Sequence, residues 1–77
     1  MRDRHYLRFD LVGTSDSGLT KIWNVQPIAG NAELGKVKWY APWRTYCYFP
    51  NPFTIYDTNC LFEIAEFCGL EKKNHGA

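Results

Sequence analysis

The sequence predicts an α+β fold in two layers, an antiparallel β-meander of three to four strands packed on one C-terminal α-helix in the order ββββα. Three observations predict it. Apolar and polar residues alternate in four stretches before position 50, the period of a half-buried strand. Short segments rich in turn formers separate those stretches, as antiparallel neighbours require. Beyond Pro50-Asn51-Pro52 the apolar spacing changes to the threes and fours of a helix.

The first strand is expected over residues 5–12, with His5, Leu7, Phe9 and Leu11 on one parity and Tyr6, Arg8 and Asp10 on the other. It either completes the sheet or forms a loosely attached arm. Gly13 to Gly18 reads as the reversing loop. The second strand, 20–26, carries Trp23 and Val25 against Asn24 and Gln26, and Pro27 ends it because proline has no N–H for the ladder. A turn over Ile28 to Glu33 leads to the third strand, 34–40, with Val37 and Trp39 on one side and Lys36, Lys38 and Tyr40 on the other. Gly35 within it reads as room for a Trp to pack over the backbone.

Ala41-Pro42-Trp43-Arg44 suits a tight turn, since Pro42 presets the backbone angle of its second position. The fourth strand, 44–49, alternates Thr45, Cys47 and Phe49 against Arg44, Tyr46 and Tyr48, and the first set is expected to face the core. Asp57 is the expected helix N-cap. Leu61, Ile64, Ala65 and Cys68 then form one apolar stripe, with Glu63 and Glu66 towards water. The helix is expected over 58–68, closed by Gly69, with 70–77 as a frayed tail.

A chain of 77 residues is expected to form one domain over 1–77, because surface-to-volume scaling limits it to a single small core. Three Trp, five Tyr and five Phe supply that core, and a hydrophobic fraction of 45% excludes general disorder. Nine basic against eight acidic residues exclude a polybasic tail. Cys47, Cys60 and Cys68 are odd in number and include no C-x-x-C pair, so they read as reduced core residues. Cys60 and Cys68 lie eight positions apart on the helix, about 12 Å along its axis, too far to share one zinc ion. No metal or cofactor is expected. Met1-Arg2-Asp3-Arg4 opens no apolar signal region and no run is long enough to span a bilayer, so a cytoplasmic location and no membrane partner are expected.

The open sheet face is where chemistry is expected. Arg8, Lys36, Lys38, Tyr40, Arg44, Tyr46 and Tyr48 fall on it by parity, with Asp10 as its one acid. Lysine and arginine neutralise phosphates while rings stack on bases, so this combination suits nucleic acid. The same residues also serve edge protection, or the hot spot of a protein interface or homodimer. Trp43 at its turn tip either folds back over the core or anchors a ligand, and Arg44 either closes the turn with a salt bridge or binds a carboxylate or phosphate. His5 and His75 lie near opposite ends with no nucleophile elbow and no Walker or metalloprotease pattern, so an enzyme is not expected.

The run from Leu34 to Pro50 (LGKVKWYAPWRTYCYFP), then Thr54-Ile55-Tyr56 and Cys60 to Phe67, resembles a group of small uncharacterised phage, prophage and mobile-element proteins with the pattern LGxxKWYxxWRxYxFxP and CLxxIAxF. The resemblance covers about residues 19 to 68. It implies a mobile-element context in a bacterial host cell and no particular mechanism; many short proteins of such elements act by binding, so the expected partner is nucleic acid, or else a host protein that is inhibited or a nucleotide ligand. The expected binding set is Arg8, Lys36, Lys38, Tyr40, Trp43, Arg44, Tyr46 and Tyr48.

Overall fold

The computed structural model describes residues 6–30 and 32–76. Four strands, β1 (Leu7–Thr14), β2 (Lys21–Pro27), β3 (Gly35–Tyr40) and β4 (Thr45–Pro50), form one antiparallel sheet in sequence order. A single 3-10 turn, Ala41–Trp43, joins β3 to β4, and helix α1 (Thr58–Gly76) follows. This is the ββββα arrangement. His5 lies outside the described residues.

The first strand belongs to the sheet, paired with β2 from Leu7↔Pro27 to Thr14↔Lys21. It runs past the expected end at Val12. A bulge between Leu11 and Gly13 places an extra residue in β1, and the ladder continues to Thr14 before Ser15 and Thr20 close the loop.

Val25 and Val37 are fully buried, surrounded by Leu7, Trp23, Tyr46 and Ile64. Phe67 links sheet to helix: its ring stacks on Phe9 at 4.1 Å between centroids and meets Trp23 edge-on at 4.9 Å. Tyr46 is wedged edge-on against Trp23 and Trp39, and its hydroxyl accepts the Lys21 N–H at 3.2 Å.

Three expectations change here. In β4 it is Tyr46 and Tyr48 that face the helix, because Val37↔Tyr48 and Trp39↔Tyr46 are cross-strand partners and partners share a face. Cys47 and Phe49 therefore stand on the open side, opposite Lys38 and Lys36. The helix is also rotated from the expected stripe. Cys60, Ile64, Phe67 and Cys68 face the sheet, while Leu61 and Ala65 are exposed. Glu63, expected in water, is 3% exposed, and its carboxylate accepts the backbone N–H groups of Tyr6 at 2.7 Å and Leu7 at 3.1 Å, tying the start of β1 to the helix.

The helix does not stop at Gly69. It continues to Gly76, and His75 in its last turn packs its ring 4.5 Å from that of Trp39. That contact accounts for helix where a frayed tail was expected. Its start is as read: Asp57 Oδ1 accepts the Cys60 N–H at 2.9 Å, which holds the Asp57 carboxyl below its ordinary range. No described helix is long and apolar enough to cross a membrane.

Gly35 is required by β4. A Cβ there would lie 2.5 Å from the Phe49 carbonyl oxygen and 2.6 Å from the Tyr48 hydroxyl. The ring over it is a tyrosine where a tryptophan was expected. Tyr56 donates its hydroxyl to the Leu34 carbonyl at 2.9 Å, so the Tyr48 hydroxyl donates to Tyr56, closing a chain that binds the loop before α1 to β3.

Candidate basic-aromatic sheet face

The open face is built by residues that alternate with the core positions. From β1 and β2 come Arg8, Asp10, Asn24 and Gln26, and from β3 and β4 come Lys36, Lys38, Tyr40, Cys47 and Phe49. The 3-10 turn adds Trp43 and Arg44 at one end.

The two halves are wired differently. Arg8 Nε donates to both oxygens of Asp10, at 3.1 and 2.9 Å, and its Nη2 donates to Gln26 Oε1 at 2.8 Å. The guanidinium is thus occupied by neighbours on its own face. Lys36 Nζ is 2.9 Å from Glu33 Oε2, and this ammonium, with Asn51, holds the Glu33 carboxyl below its ordinary range. Asn24 lies between them, and its Oδ1 is shielded from solvent with no hydrogen-bond partner among the described residues.

On β3 and β4 the side chains form a strip. Trp43 meets Tyr40 edge-on at 5.0 Å, Tyr40 meets Phe49 edge-on at 6.1 Å, and Lys38 Nζ sits 4.6 Å above the Phe49 ring. Trp43 does not fold over the core. It is 71% exposed, which leaves roughly 3–4 kcal/mol of burial energy unused for a ring of its size. Arg44 adopts a left-handed backbone, φ 54° and ψ 48°, while its N–H closes the turn onto the Tyr40 and Ala41 carbonyls. That conformation costs a non-glycine residue about 1–2 kcal/mol. Arg44 makes no ion pair among the described residues, so the salt bridge expected to close the turn is replaced by these backbone bonds.

Of the expected binding set, Lys38, Tyr40, Trp43 and Arg44 come together towards the β3–β4 turn, while Lys36 lies on the same face at the other end of β3, paired with Glu33. Arg8 lies on the same face, two strands away and engaged with Asp10. Tyr46 and Tyr48 are on the opposite side, in the core. Phe49 is the member of the strip that the sequence reading missed, because it was expected in the core along with Cys47. The loop length held the missing signal, because four residues between Tyr40 and Thr45 make those two cross-strand partners on one face.

Compared with protein-family models, curated proteins and solved structures, the chain matches none. Among the described residues no three His, Cys, Asp or Glu side chains gather as a metal site. The strip sets rings, which can stack on a flat ligand, beside cations, which can neutralise phosphate.

Proposed function

We propose that the chain is a non-catalytic binding protein that holds single-stranded nucleic acid on the ring-and-lysine strip of its open sheet face. The observation carrying this reading is the continuous contact from Trp43 through Tyr40 and Phe49 to Lys38, ending in an indole that is mostly exposed. Stacking one base on such a ring is worth about 1–3 kcal/mol and tolerates any sequence. Retaining Arg44 in a conformation better suited to glycine also supports a role for its side chain. The likeness to small phage and prophage proteins accords with a short chain that works by binding.

Titration with mixed-sequence single-stranded DNA and RNA, followed by Trp fluorescence, tests it. With Lys38 and Arg44 on phosphates, the log of affinity falls against log salt with a slope of about −1.4. Trp43→Ala weakens binding without lowering the melting temperature. Absence of binding to either nucleic acid at low salt overturns the reading.

One observation favours a second reading, a host protein as the partner. Two of the four cations assigned to the face, Arg8 and Lys36, are paired with carboxylates of this chain, which weakens the field available to a polyanion. On that reading Trp43 is an interface anchor, and pull-down from host lysate recovers a single protein that Trp43→Ala loses.

A further inference from the structure

The last two turns of α1, beyond Gly69, close one end of the covered side of the sheet. Glu71, Asn74 and His75 recur there at threes and fours, on one face of the helix. Across from them stand Lys21 at the start of β2 and Tyr46 on β4, and together with Leu19 at the rim these residues line a recess of about 230 Å³. His75 forms one wall, its ring 4.5 Å from that of Trp39 and edge-on to Tyr46 at 6.1 Å. Tyr46 is 5% exposed and its hydroxyl accepts the Lys21 N–H at 3.2 Å, but the hydroxyl's own hydrogen has no acceptor among the described residues. A donor held at that depth takes its acceptor from whatever enters the recess. Lys21 and Glu71, of opposite sign, line the recess from two different elements, and neither forms an ion pair among the described residues. Asn74 adds an amide, which both donates and accepts.

We propose that this recess binds a small zwitterion of the free α-amino acid class, its carboxylate on the Lys21 ammonium and the Tyr46 hydroxyl and its ammonium on the Glu71 carboxylate and the Asn74 amide oxygen. The two charges of the recess decide the class. A plain anion such as phosphate satisfies Lys21 and is repelled by Glu71, and a plain amine meets the reverse, whereas a zwitterion answers both. Size narrows it further. The recess has room for about seven waters. That suits a ligand of a few heavy atoms and excludes a nucleotide or a peptide, since drug-sized molecules occupy pockets of roughly 300–1,000 Å³. Leu19, 75% exposed at the rim, offers a short apolar side chain of the ligand its one apolar contact outside the rings. The recess lies on the helix-covered side of the sheet, so the proposal goes beyond the nucleic-acid reading and does not depend on it.

Titration of the full chain with L-alanine, propionate and ethylamine at neutral pH, followed by amide NMR shifts, tests it. Propionate keeps the carboxylate and lacks the amine, and ethylamine keeps the amine and lacks the carboxylate. Alanine is expected to give saturable shifts at Lys21, Glu71 and Asn74 with a dissociation constant at least about tenfold below that of either control, the worth of one charge-assisted hydrogen bond. Glu71→Gln brings alanine to the affinity of propionate, and Lys21→Met brings it to that of ethylamine. Both variants keep the melting temperature, because neither side chain bonds to another described residue. Absence of saturable shifts at these three amides with millimolar alanine overturns the proposal. So does equal affinity for the three probes, and so does an advantage of alanine that survives both substitutions, which assigns its binding to another part of the molecule.

Discussion

The β1–β2 and β3–β4 halves of the open sheet face carry similar residue types and behave as different surfaces. On the first, Arg8, Asp10 and Gln26 satisfy one another within hydrogen-bond distance. On the second, Lys38 rests on a ring, the rings run out to an exposed indole, and Arg44 forms no ion pair among the described residues. An exposed pair such as Arg8–Asp10 adds at most about 1 kcal/mol to stability, but it removes a cation from the field. Counting charges by parity overstates what a face presents, and the side-chain partners decide which half is available to a ligand.

The comparison is broken most severely at Gly35. Gly35→Val places branches where the Phe49 carbonyl and the Tyr48 ring already sit, and β3 and β4 must separate. A loss of about 3 kcal/mol or more is expected in urea denaturation, above the ordinary cost of overpacking because the obstacle is backbone. Phe49 moves with β4, so ligand binding fails along with stability. A variant that keeps wild-type stability shows that the strip is not held by this contact.

Glu63→Ala acts on the other half. Two backbone N–H groups at the start of β1 lose their acceptor, and the Leu7 group is buried, so a cost of about 2 kcal/mol is expected. Hydrogen exchange at Leu7 accelerates, while Trp43-dependent binding stays as it was. Glu63→Gln recovers only part of the loss, since its amide offers one acceptor oxygen and turns two hydrogens towards donors.

How much of this the sequence carried depends on how many parities were apolar. In β2 and β3 only one was, and Trp23, Val25, Val37 and Trp39 lie on the helix-facing side as alternation implies. In β4 the aromatic residues Tyr46, Tyr48 and Phe49 occupy both parities, so alternation alone does not choose, and the four-residue turn does. The same ambiguity rotated the helix. Cys60, Ile64, Phe67 and Cys68 make as good a stripe as Leu61, Ile64, Ala65 and Cys68, and only packing against Phe9 and Trp23 selects the first. Nothing in spacing marks Glu63 as buried. Its role depends on two N–H groups more than fifty residues earlier in the chain.

A smaller effect sharpens the contrast directly. Lys38→Ala and Arg8→Ala each delete one cation from the same face, so a surface governed by total charge responds equally. The pairing of Arg8 with Asp10 says otherwise. Lys38→Ala is expected to weaken nucleic-acid binding about tenfold and to reduce the salt slope by about 0.7, the value for one phosphate contact on a single strand. Arg8→Ala, which frees Asp10 from its partner, changes the slope little. Equal slopes for the two variants erase the distinction between the halves.

The effect smallest at neutral pH belongs to the groups packed under β4. Burial, and then the hydrogen bond to Tyr56, push the Tyr48 phenol above its ordinary 10.0. Burial, and then neighbouring Cys47, push the Cys68 thiol from 9.0 up to about 11. Both are protonated in the folded chain, while the unfolded chain ionises them at their ordinary values. Their contribution is therefore complete below about pH 9, declines as the unfolded thiol and then the unfolded phenol ionise, and for Cys68 is lost by about pH 11. Thermal melts are expected to be level from neutrality to about pH 9 and to fall beyond it. Cys68→Ala and Tyr48→Phe each flatten that alkaline fall, the second while also costing the bond to Tyr56. Melting temperatures that hold level to pH 11 in the unaltered chain are the contrary result, because they require both groups to ionise as readily when folded as when unfolded.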